Sequence, residues 1–156
     1  MALQDIKNGT DYLVYINTMV PITDETPPAN NNTNWRMLMC LNTNALSVTV
    51  DSIDTTTKCT GGWVDAIPGD ASWEISADGA AVDVDGNTEA SNNEILALTA
   101  GKTSFWAAIF DPTKQTFRKG VVFISSYSEN FDRNTMFGFT ATLTGRGELF
   151  FNESTT

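Results

Sequence analysis

The chain contains no histidine, so the commonest general base is missing from any chemistry it could perform. Its two thiols, Cys40 and Cys59, cannot complete a zinc shell alone, and no metal or cofactor is expected. Carboxylates are abundant, but nothing distinguishes any pair, such as a glycosidase would use, from solvated surface. Gly101-Lys102-Thr103 matches the last residues of a phosphate-binding loop. The glycine required five residues before Gly101 is Leu96, however, and the element order of such a loop is inverted. Asp83-Val84-Asp85-Gly86-Asn87 has a calcium-loop flavour, yet Gly86 stands fourth instead of sixth. A helix stop and a hairpin turn account for these two segments, and no catalytic residue is assigned.

Charge is more informative than any motif. The formal net charge is −10, from 19 acids against 9 bases. Between Lys58 and Lys102 there is no basic residue but there are eight acids: Asp65, Asp70, Glu74, Asp78, Asp83, Asp85, Glu89 and Glu94. Such a surface does not grip a phosphate backbone. It gives solubility, or it lets nucleic acid pass without sticking. Arg118-Lys119 is the only basic doublet, and no basic stripe interleaves with aromatics, which disfavours specific nucleic-acid binding.

The elements that must carry these residues read as β. Asp11 to Ile16 is a first strand; residues 35–41 resume an extended apolar segment; Leu46, Val48 and Val50 alternate and share a face. Ser72-Trp73-Glu74-Ile75-Ser76 alternates again and is expected to end at the turn signal Asp78-Gly79, with a second turn at Asp85-Gly86. Ser91 and Glu94 fit a capping box that opens one short helix, with Ile95, Leu96 and Leu98 as its apolar stripe and Gly101 as its stop. Residues 103–110, 120–126 and 136–143 supply further strands, with a kink at Gly145-Arg146-Gly147. About eight strands and one helix, without repeats, fit a single domain over 1–156. Two segments stand apart. Residues 21–34, with Pro27-Pro28 and Asn30-Asn31-Asn32, cannot pack a core and are expected to be a mobile excursion. Residues 54–69 read as a long loop or arm, in which Trp63 needs a surface to bury against, on this subunit or another. The opening residues lack a basic stretch followed by an apolar run, so no secretory signal and no membrane contact are predicted, and the thiols are expected to be reduced.

Two long segments and the start of the chain carry a resemblance. The first segment is Asp54-Thr55-Thr56-Thr57-Lys58-Cys59-Thr60-Gly61-Gly62-Trp63, followed by Ile67-Pro68-Gly69 and the strand around Trp73. The second is Lys119-Gly120-Val121-Val122-Phe123-Ile124 with Phe139 to Gly147, ending in a Thr-Leu-x-Gly-x-Gly pattern. With the opening Asn8-Gly9-Thr10-Asp11 and the central helix, in that order, the chain resembles the major tail tube proteins of siphophages, in particular the TP901-1-like group. The longer, more polar segment 21–34 departs from that pattern. So does Cys59, which stands where the family often has an acid.

The resemblance implies a mainly β fold, a β-sandwich or partly closed β-barrel with one flanking α-helix. It implies a virion protein, assembled in the host cytoplasm, that forms stacked hexameric rings through which DNA is delivered. Its partners would be further copies of itself, the tape measure protein inside, the terminator and the distal tail protein, with double-stranded DNA passing unbound. Lys58, Trp63, Ile67 and Pro68 become the candidate inter-subunit contacts, and Glu74, Asp78, Asp83 and Asp85 the candidate acidic lumen. Within this structural class, the inner tube of a contractile tail or secretion system and a tail terminator are alternatives. From another class, the alternative is a carbohydrate- or ligand-binding β-sandwich of a phage baseplate; glycan binding by a stable monomer would favour it.

Overall fold

Apolar residues placed to face both ways along one short strand determine how the rest is arranged. In a computed structural model that describes residues 12–23, 26–29, 32–38, 41–59, 61–80, 89–90, 92–110, 117–131, 133 and 138–151, these residues build eight strands and one helix. In chain order they are β1 (Leu13–Asn17), β2 (Arg36–Leu38), β3 (Leu41–Asp54), β4 (Ala66–Ala80), β5 (Glu89–Ala90), α1 (Asn92–Ala100), β6 (Phe105–Phe110), β7 (Phe117–Asn130) and β8 (Gly138–Phe150). All eight strands join one sheet in the order β3-β4-β8-β7-β6-β1-β2-β5, antiparallel except for β2 with β5.

That order forces the sheet to curl. β2 and β3 stand six strand positions apart, a span of about 29 Å across a flat sheet. Yet Leu38 and Leu41, the end of one and the start of the other, can be separated by at most about 11 Å of chain. The sheet therefore rolls into an open barrel that brings its flanks together. Asn44 on β3 donates its side-chain N–H to the carbonyl of Tyr12, just before β1, at 3.3 Å.

β6, near the middle, is buried on both faces, which is why Phe105-Trp106-Ala107-Ala108-Ile109-Phe110 shows no polar alternation. Phe105 and Ala107 enter the main core with Val14, Ile16, Ile75, Val122 and Leu143. Trp106, Ala108 and Phe110 face the other way, into a second cluster with Trp35 and Phe117. α1 closes the main core through Ile95, with Leu98 packed against it, and Arg36 on β2 forms an ion pair with Glu94. Leu96, expected in the apolar stripe, is instead 44% exposed, because the 3.6-residue period puts 95 and 98 inward and 96 outward.

The end of α1 also differs from expectation. The amide of Thr103 donates to Leu98 O and that of Lys102 to Thr99 O, a Schellman ending. The left-handed residue of the motif is Lys102, with φ +54°, and not Gly101. Ser91 lies outside the described residues, and so does its half of the capping box.

The second core needs a lid, and residues of the 21–34 segment supply it. Buried Asn17 ends β1 by accepting the amides of Met19 and Val20 through Oδ1, which turns the chain back over the sheet. Trp106 Nε1 then donates to Pro21 O at 3.2 Å, Trp35 Nε1 to Ala29 O at 2.8 Å, and Lys119 Nζ to Pro28 O at 2.8 Å. Within the segment expected as a mobile excursion, the backbone carbonyls of Pro21, Pro28 and Ala29 thus accept hydrogen bonds from the barrel, a feature that side-chain polarity does not register.

Candidate assembly surfaces

The region expected as a long loop or arm over 54–69 is a connection at its centre and strand at its ends. β3 runs to Asp54 and β4 resumes at Ala66, so only residues 55–65 connect them; Ile67 and Pro68 are strand residues opposite Ile53 and Ser52. The root of the connection is closed by Thr55 N to Asp65 O at 3.0 Å and Asp65 N to Thr56 Oγ1 at 2.8 Å. Asp54 Oδ1 accepts the Thr56 amide at 2.8 Å. Hydrogen bonds from the Thr56 side chain and backbone hold the Asp54 carboxyl below the usual range. At the tip, Gly61 and Gly62 take φ of +66° and +86° and expose Trp63 at 81% and Val64 at 84%. Lys58 and the free thiol of Cys59 are exposed beside them. Trp63 therefore finds no cover among the described residues.

β4 pairs with β8 only from Glu74 onward, so the outer half of the hairpin projects beyond the sheet. Val48, Val50, Ile53 and Ile67 are half exposed on it. The alternation of Leu46, Val48 and Val50 does place them on one face, but only Leu46 reaches the core. Among the described residues β3 pairs with β4 alone, leaving its other edge open. An open strand edge with exposed apolar residues is a template for pairing with another chain.

Where β4 peels away from β8, a groove of about 710 Å³ opens. Leu46, Val48, Trp73, Leu149 and Phe151 line it, together with Arg118 and Glu148. Neither the groove nor the open half of β3 was legible from residue type alone.

The outer face of β3-β4-β8-β7 is a hydroxyl carpet. On β4 it presents Ser72, Glu74, Ser76 and Asp78, all exposed, while Trp73, Ile75 and Ala77 point into the core. Register places Ser47 and Thr144 on either side of Glu74, and Thr43 and Thr140 on either side of Asp78. Thr140 Oγ1 donates to Asp78 Oδ1 at 3.4 Å, and Thr144 Oγ1 to Ser125 Oγ at 2.7 Å. Glu74 and Asp78 share this face about 13 Å apart. The turn expected at Asp78-Gly79 does not form: β4 continues to Ala80, because Gly79 and Ala80 stay paired with Phe139 and Gly138. Asp83 and Asp85 lie outside the described residues, as does the calcium-like segment. Among the described residues no group of three or more His, Cys, Asp or Glu could hold a metal ion, and no helix is long and apolar enough to cross a membrane.

The family model for the phage tail tube protein matches residues 7–151. This chain belongs to the phage tail tube protein family. The tail tube chain is also similar in fold to solved assemblies. A chain of the native gene transfer agent virion matches with TM-score 0.71 at 17% identity, over 95% of this chain and 100% of that one. A chain of the empty gene transfer agent tail, refined with C6 symmetry, matches equally. The SPP1 tail tube matches with TM-score 0.66 at 12% identity, over 94% and 79%. Among curated proteins no sequence matches. The protein is thus a structural component of a tail tube, a virion protein with the open-barrel fold and flanking helix its sequence resemblance implies.

Proposed function

We propose that this tail tube protein polymerises as stacked hexameric rings whose bore conducts DNA to the host, and that it catalyses nothing. The observation that carries the reading is the projecting β3–β4 hairpin, with its open edge and its exposed Trp63, Val64 and Ile67. Contact around a ring closes by rotation and contact along the axis does not, so one subunit needs two different adhesive surfaces. The open β3 edge suits the first by pairing with the next subunit's sheet. The hairpin arm suits the second, with Lys58, Trp63, Ile67 and Pro68 as contacts. Six subunits per ring accord with the C6 symmetry of the similar gene transfer agent tail.

The hydroxyl carpet with Glu74 and Asp78 is the proposed lumen wall, to which Asp83 and Asp85 would add. Duplex DNA carries about one charge per 1.7 Å of axis, so an acidic wall keeps it off. The partners are then further copies, the tape measure, terminator and distal tail proteins, and DNA in transit. Assembly takes place in the host cytoplasm. Negative-stain microscopy of the purified protein at high concentration tests the reading: tubes are expected, and a chain that stays monomeric under every assembly condition overturns it. The anti-feeding prophage baseplate also contains a similar fold, TM-score 0.59 at 10% identity over 96% of this chain and 97% of that one, which keeps the inner tube of a contractile system as the second reading. A sheath gene beside this one would favour it.

A further inference from the structure

We infer that Trp63 and Val64, at the tip of the β3–β4 hairpin, seat in the groove at the root of the same hairpin on a second copy of this chain. The inference rests on the tube reading above and names the receiving surface of its axial contact. The groove exists because the hairpin leaves β8 after the Glu74–Thr144 pair, while Leu149 and Phe151 continue along the other side of the gap. Trp73 is its buried floor; Val48 and Phe151, 55% and 53% exposed, are its open walls. Its volume, about 710 Å³, lies in the range that receives a bulky apolar group. The tip supplies that group, because an indole covers roughly 150–250 Å² when buried.

The charges at the two ends are also complementary. Lys58 and Asp65 flank the tip, and Glu148 and Arg118 line the groove, so each end offers one cation and one anion to the other. The tip cannot serve its own groove. From Val48 to Asp54 the paired strand extends about 20 Å, with one register shift between Val50 and Ser52, and the pairing of Ser52 to Asp54 with Pro68 to Ala66 carries the tip away from the groove. Tip and groove are therefore two different patches joined head to tail between copies. Shifted along the hairpin axis, such a contact does not close on itself and propagates as a stack.

Cross-linking tests this in assembled tubes of the full chain, with Cys59→Ser removing the exposed thiol. Val48→Cys combined with Val64→Cys should give, on oxidation, a ladder of bands that continues past the size of one ring; each single variant should give none. A ladder that stops at one ring would place the tip in a same-ring neighbour and overturn the inference. So would tubes of normal appearance that never cross-link. Val48→Asp and Trp63→Ala alter exposed side chains, so both chains should fold. Each should raise the concentration needed for tubes at least about tenfold, the effect of losing a hot-spot residue. If Trp63→Ala does so and Val48→Asp does not, the groove is wrong and the arm stands. If Trp63→Ala assembles as the parent does, the arm itself falls, and the groove with it.

Discussion

The indole of Trp73 lies across Gly145 so closely that a Cβ built on that glycine would fall well inside 3.0 Å of the ring. The two sit opposite each other, one register step beyond the last β4–β8 pair at Glu74 and Thr144. Gly120 on β7 extends the same bed, and Trp73 Nε1 donates to Gly147 O at 3.0 Å. Gly147 holds φ +83° where β8 bulges between Arg146 and Phe150, the kink its sequence implies. The hairpin is thus fixed to the barrel by one aromatic at the point where its ladder ends.

Gly145→Ala is therefore expected to cost about 1–3 kcal/mol, the range for overpacking a filled site. Urea denaturation measures it. An unchanged midpoint would mean that the indole has room to move aside.

Lys102→Gly should act in the opposite direction. A side chain at the left-handed position of the α1 ending costs about 1–2 kcal/mol relative to glycine, so the variant should be more stable by about 1 kcal/mol. Thermal unfolding is the measurement, and a lowered midpoint would contradict the assignment.

Lys119 is 4% exposed, bonded to Pro28 O and set 4.5 Å from the Phe117 ring centroid. Lys119→Ala should destabilise by about 2 kcal/mol or more through the lost charged hydrogen bond and the space left behind. It should also speed proteolysis between residues 21 and 29, because that bond holds the lid. Denaturation with mass-spectrometric mapping of the cleavage sites reads both effects.

Asp54 gives a pH dependence with a definite sign. Its carboxyl is held low by Thr56, so the folded loop binds the proton less readily than the open chain does. The contribution is present above the ordinary carboxylate pKa, about 4, and is lost as pH falls through the depressed folded value. The Thr56 amide should lose its hydrogen-bonded chemical shift in that acid window. In Asp54→Ala the shift should be absent already at neutral pH. NMR titration of this amide checks both.

Reversing charge on the proposed lumen wall tests it directly. Glu74→Lys with Asp78→Lys should still form tubes, since both side chains are exposed and off the core face. The tubes should now retain short duplex DNA at low salt and release it steeply as salt rises. Tubes that ignore DNA as the parent does would place these acids on the outside.

The sequence by itself determined what local chemistry determines. Alternating β-branched and aromatic residues specified the strands, and Ile95, Leu98 and a break near 101 specified the helix. Composition fixed the absence of histidine and the absence of any basic residue between Lys58 and Lys102. Only the tertiary structure decided where alternation ends in a core and where it ends in an exposed face. Leu46 and Val48 are the same kind of residue on the same side of one strand, yet Leu46 packs into the core and Val48 is left outside. The difference is made by β8, about a hundred positions later, and by how far its ladder with β4 extends. The lid over Trp106 and the closeness of Trp73 to Gly145 have the same origin. Carbonyl acceptors and missing Cβ atoms act through space, and their partners become neighbours only once the sheet has curled.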